Sequence, residues 1–252
     1  MKFVIVVLML FLPPTFALAG TFVETFDDRD LDNWREMFQN DIPSGSWEIV
    51  DSELHAMSLE SFIRLLTTGD EMWHDYTIEF DVKPLEKHGI GSLVIAARIK
   101  GPQLVFCEVG DLPFGIKSNV ICRTTGNFHG KYSELLYFSP HPLLKMGDWS
   151  TLKLKVHGEA FTFWINSRQI VQTGDDFTLE IHENQKTAIV GKAGKLSGFL
   201  TGSIGLGLAN YTARFDDVII TGDDIPDKRA LSVTPRVKLA TTWGRLKHFK
   251  KK

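Results

Sequence analysis

The chain has 252 residues, of which 43% are hydrophobic and 23% charged, with a formal net charge of −3. These figures exclude a disordered protein, a collagen-like repeat and a polytopic membrane protein. The 18 Phe, six Trp and 21 Gly suit an all-β sandwich with glycine turns better than a helical bundle.

Residues 1–19 read as a secretory signal. Lys2 supplies the positive end, Phe3 to Leu12 form an unbroken apolar run, Pro13 and Pro14 end it, and Ala17-Leu18-Ala19 fits a small-x-small cleavage site. Ten helical residues span about 15 Å, about half of a bilayer core, so the run is too short to cross a membrane. No later segment is apolar for long enough to do so. The expected mature chain begins near Gly20 and is secreted or periplasmic.

Strand signals then follow one another. Thr77 to Lys83 alternates, with Ile78, Phe80 and Val82 on one face and Glu79, Asp81 and Lys83 on the other. Val94 to Arg98 is another strand-like run. Cys107 and Cys122 lie in LVFCEV and NVICRT, 15 positions apart and separated by the turn-rich GDLPFGIK. In an oxidising compartment they could be bridged antiparallel neighbours, and the alternative is two buried thiols. Leu152 to Val156 alternates, and Phe161, Phe163 and Ile165 share a face opposite Thr162, Trp164 and Asn166. Residues 177–203 carry scattered glycines and lysines and read as an exposed loop or hairpin. Their GKAGK lacks the spacing of a phosphate-binding loop. Ile204 to Leu208 and Phe215 to Ile220 complete the set. Turn signals separate the strands at 43–45, 67–70, 87–89, 145–148 and 172–176. A one-sided antiparallel pattern repeated this often implies two sheets packed face to face.

Charge divides the chain. From Lys228 onward there are nine Lys or Arg and no acid, whereas 20–227 holds 18 basic and 31 acidic residues, a net −13. The expected organisation is a signal at 1–19, a β-sandwich at 20–222 and a short basic, flexible tail at 223–252. The tail would suit an anionic cell-surface polymer; nucleic acid is not an expected partner of a secreted chain.

Several segments resemble the concanavalin A-like lectin/glucanase superfamily. ETFDDRDLDNW is similar to its first strand, and SWEIVDSELHA to its W-x-V-x-D-G-x-L hairpin. YTIEFDVKP, DWSTLKLKVHGEAFTFWINSRQIV and GSIGLGLANYTARFDDVIITG follow in order. Within it, the nearest types are the laminin-G-like and 3-keto-disaccharide hydrolase domains. The resemblance implies an all-β jelly roll of two antiparallel sheets, one of them concave. Its members include lectins, glycosidases, adhesion modules and structural domains, so the fold leaves function open.

Four chemistries can be weighed. Glycosidases of this fold carry E-x-D-x-E on one strand, where alternate acids share a face. Glu79 and Asp81 match its first part, but Lys83 stands where the third acid belongs. The asparagine-serine-glycine strand and the tyrosine-glutamate-x-glutamine stretch of the 3-keto-disaccharide type are absent, so that activity is not carried over. Metal-enzyme chemistry has no support, since the eight His form no H-E-x-x-H. The resemblance implies a structural calcium held by Glu24 and Asp216, near the first and last strands; no other cofactor is required. The favoured reading is a non-catalytic module that binds polysaccharide or glycan, or adheres, through one concave sheet face. Sugars stack C–H patches on aromatic rings and satisfy their hydroxyls with acids, amides and Arg. Trp164 is the expected platform, with Glu79, Asp81 and Arg98 beside it and Tyr132 and Tyr137 as lesser candidates. Trp34, Trp47 and Trp149 are expected in the core. Asn210-Tyr211-Thr212 is a glycosylation sequon.

Overall fold

The computed structural model describes residues 20–39, 45–111, 118–126, 133–183 and 185–229. The expected signal, Tyr132 and the tail beyond Arg229 lie outside the described residues. Among those described there is no helix, and so none long and apolar enough to cross a membrane.

The strands are β1 (Gly20–Glu24), β2 (Arg35–Phe38), β3 (Gly45–Val50), β4 (Glu53–Ser58), β5 (Arg64–Thr68), β6 (Tyr76–Lys87), β7 (Ser92–Lys100), β8 (Gln103–Gly110), β9 (Asn119–Thr125), β10 (Ser133–Pro140), β11 (Ser150–His157), β12 (Ala160–Ile165), β13 (Arg168–Gln172), β14 (Asp176–Glu183), β15 (Gln185–Lys192), β16 (Ser203–Leu208), β17 (Tyr211–Gly222) and β18 (Lys228–Arg229). A nine-stranded sheet runs β13-β12-β11-β6-β17-β1-β18, with β4 also on β17 and β3 on β4. A seven-stranded sheet runs β10-β9-β8-β7-β16-β5-β2, and β14 and β15 form a separate hairpin within 177–203. All of these pairs are antiparallel except β1 with β18.

The expected alternation builds the nine-stranded sheet. Ile78, Phe80 and Val82 of β6, Leu152, Leu154 and Val156 of β11, and Phe161, Phe163 and Ile165 of β12 all point inward. There they meet Leu93, Ile95 and Ala97 of β7, Val105, Cys107 and Val109 of β8, and Ile204, Leu206 and Leu208 of β16. Each large buried side chain contributes about 1.5–3 kcal/mol of transfer free energy. Cys107 and Cys122 stand directly opposite in the β8–β9 ladder and are bonded, with S–S 2.06 Å.

The seven-stranded sheet differs because both of its faces are apolar. Its outer side carries a second cluster of Ile63, Leu65, Val94, Ala96, Ile99, Leu104, Phe106 and Ala209. The sandwich also continues past the expected boundary at 222. Ile225 joins the core, and Lys228 and Arg229 pair with Phe22 and Val23 as an edge strand.

One polar junction ties the two sheets together. The Tyr76 hydroxyl, on β6, accepts the backbone N–H of Arg98 at 2.6 Å. It faces the carbonyl oxygens of Gly202 and Ser203 at 2.9 and 3.1 Å. A Cβ at position 202 would lie 2.2 Å from the Arg98 carbonyl carbon, so this approach requires glycine. Burial pushes the Tyr76 phenol well above its ordinary pKa, keeping it a neutral hydrogen-bond partner.

Candidate functional site

The outer face of β6, β11 and β12 is built by the residues that the core alternation leaves over. Register sets Glu79 opposite Lys153, and Lys153 opposite Trp164, giving one row across three strands. Asp81 and Thr151 form the next row. The Lys153 ammonium lies 2.9 Å from Glu79 Oε2 and 5.9 Å from the Trp164 ring centroid. The Thr151 hydroxyl donates to Asp81 Oδ1 at 2.5 Å. An ion pair this exposed contributes only about 0–1 kcal/mol.

Local backbone features present the indole. The β12–β13 pairing slips between Phe163 and Trp164, which changes how the strand aims its side chains. Asn166 and Ser167 turn the chain with φ of 51° and 66°, the left-handed pair that a tight hairpin needs. Asn166 Oδ1 accepts the Thr151 N–H at 2.9 Å and anchors that turn to β11. The result is a shallow depression of about 230 Å³, lined by Glu79, Thr151, Lys153, Trp164 and Ser167. Trp164 is half-buried and lies outside the core cluster. The indole thus has an ammonium group over its ring and shares its hollow with a carboxylate and hydroxyls.

Arg98 is not part of this group. It sits on the other sheet, where β7 leaves its alternation with φ of 54°, and its side chain is wholly buried. Its guanidinium bonds Asp75 Oδ1 at 3.1 Å and the Phe199 carbonyl at 3.0 Å. Burial lowers its pKa, and Tyr76 and Asp75 oppose that shift. Tyr137 is also a core residue, edge-on to Phe177 at 5.7 Å, because its register partner is the inward Cys122. Trp34 lies in the core and Trp47 packs against it. Trp149 departs from expectation: it is half-buried, lies outside the core and has the Lys83 ammonium 5.8 Å from its ring centroid.

The two residues expected to hold calcium sit on neighbouring strands, β1 and β17. Glu24 stands opposite Val218, a core residue, whereas Asp216 stands opposite Asp81 on the outer face, beyond a bulge in β17. Glu24 Oε1 accepts the N–H of Phe26 at 2.8 Å. Burial raises the Glu24 pKa, and that hydrogen bond opposes the rise. Among the described residues no group of three or more His, Cys, Asp or Glu is arranged to hold a metal ion. A partly buried polar pair, unmarked in the sequence, lies on the seven-stranded outer face. Glu108 is salt-bridged to Arg123, accepts the Ser92 hydroxyl at 2.7 Å, and leaves no water-sized space beside it.

A family model described as a 3-keto-alpha-glucoside-1,2-lyase-like domain matches residues 21–221. The chain belongs to that family. Its fold is that of the concanavalin A-like lectin/glucanase superfamily. No curated protein matches the chain. Among solved structures, a carbohydrate-binding module (CBM66) of Bacillus subtilis is similar at 16% identity and a TM-score of 0.50, over 74% of this chain and 93% of that one. A lichenase, a β-1,3-1,4-glucanase from a mouse hindgut metagenome, is 14% identical with a TM-score of 0.48, over 82% and 100%. A glycosyl hydrolase family protein of Mycobacterium fortuitum is 10% identical with a TM-score of 0.49, over 79% and 98%. At these identities the likeness concerns the fold.

Proposed function

We propose that this protein is a secreted, non-catalytic carbohydrate-binding module whose site is the Trp164 depression on the outer face of the nine-stranded sheet. The observation that carries the reading is the half-buried Trp164 indole set in one hollow with Glu79, Lys153, Thr151 and Ser167. An indole face takes the C–H side of a sugar ring, and the surrounding groups offer donors and acceptors to its hydroxyls. The family description, which names a glucoside, supports sugar as the ligand class. The apolar run at 3–12 and the Cys107–Cys122 bridge support secretion.

Binding is favoured over glycoside hydrolysis by what the two acids already do. A glycosidase aims a proton donor and a second carboxylate at one bond. Here the Lys153 ammonium holds Glu79, and the Thr151 hydroxyl engages Asp81. A glycan array probed with wild type and Trp164→Ala tests the proposal. Specific binding that is lost in the variant supports it. Binding that survives the substitution, or release of new reducing ends from a bound glycan, refutes it.

A further inference from the structure

We infer that the site extends from Trp164 to Trp149 and grips a linear, uncharged glycan chain along β11, rather than one terminal sugar. The inference rests on the carbohydrate reading above and names the ligand class for that same face. Lys83 belongs to this face because it alternates with the buried Val82 and Pro84. Trp149 immediately precedes β11 and lies against Lys83, so it shares the face with Trp164. The two indoles are matched: each is half-buried and each has a lysine ammonium just under 6 Å from its ring centroid.

Spacing sets the length of the ligand. Trp149 and Lys153 are four residue steps apart along the chain, about 13 Å, and Trp164 lies one strand further over, about 5 Å, so the platforms are about 14 Å apart. That is about three sugar rings laid end to end, and no monosaccharide touches both. Asp81 and Thr151 occupy the strip between the platforms, and Glu79 and Ser167 flank the Trp164 end. Charge selects among chains. Glu79 and Asp81 are balanced on this face by Lys83 and Lys153, so the strip is near neutral and suits an uncharged chain, while the net −13 of residues 20–227 disfavours a polyanion.

Titration calorimetry with cello-, laminari-, xylo- and malto-oligosaccharides, from disaccharide to hexasaccharide, tests this, with oligogalacturonate as the anionic comparison. For the chain type that binds, affinity should rise with length until both indoles are spanned and then level off. Trp149→Ala should weaken the long chains about tenfold while leaving the disaccharide unchanged, and Trp149→Phe should restore most of the loss. Urea unfolding of the two variants checks that the fold is intact. Equal affinity for all lengths, long-chain binding untouched by Trp149→Ala, or preference for oligogalacturonate overturns the inference and leaves the Trp164 site standing. A wild-type protein that binds none of these sugars overturns both.

Discussion

Tyr76→Phe is the sharpest test of how the sandwich is held. The substitution keeps the ring, and with it the edge-on contact to Trp73 at 6.4 Å, and removes only the hydroxyl. Three buried backbone groups then lose their partner: the Arg98 N–H at 2.6 Å and the carbonyl oxygens at 202 and 203. A buried polar group left unsatisfied costs about 1–3 kcal/mol, and the carbonyls are the less affected because each has a second lone pair. A loss of about 3 kcal/mol is expected, or a fall in Tm of about 6–12 °C for a domain of this size. Equilibrium urea unfolding reads it as a lower midpoint at unchanged slope. Glycan affinity should not move, because Tyr76 is a core residue and the proposed site lies on the outer face. A loss below about 0.5 kcal/mol would show that the junction is incidental to stability.

Other outcomes follow from the same structure. Reducing the Cys107–Cys122 bridge, which closes 15 residues, should cost about 3 kcal/mol in the loop-entropy picture, read as a lower urea midpoint in dithiothreitol. Glu24 holds its proton more tightly when folded than unfolded, so its contribution is complete at acid pH and is lost as pH rises through the raised folded value. Glu24→Gln keeps an acceptor for Phe26 and cannot ionise. The variant should therefore match wild type in acid and be the more stable at neutral pH, in a urea series across that range. Phe80→Ala should cost about 3–5 kcal/mol, because Phe80 is wholly buried and edge-on to Phe215 at 5.7 Å.

The sequence was most legible where one sheet face meets water. In β6, β11 and β12 buried apolar residues alternate with water-facing ones that are mostly polar, so the alternation identifies both the strand and the face that carries Glu79, Asp81 and Trp164. It was least legible in the seven-stranded sheet. SLVIAARIK and QLVFCEVG read as nearly continuous apolar runs because Val94, Ala96, Leu104 and Phe106 join a second cluster on the outer side. With no alternation to follow, nothing local shows which sheet holds Arg98 or that it turns in toward Asp75. The register shift between Asp216 and Ile219 likewise interrupts the alternation of β17, a local detail that spacing along the chain does not carry. Trp149 sits at the join between a turn and a strand, where the alternation that would orient it has not yet begun.

The most direct measurement is amide hydrogen exchange of the wild-type protein with and without the best-binding glycan. Slowed exchange should be confined to residues around 79–83, 149–153 and 164–167, with the seven-stranded sheet unchanged. Protection on β7, β8 or β9 instead, or none anywhere under saturating glycan, would contradict a site on the outer face of the nine-stranded sheet.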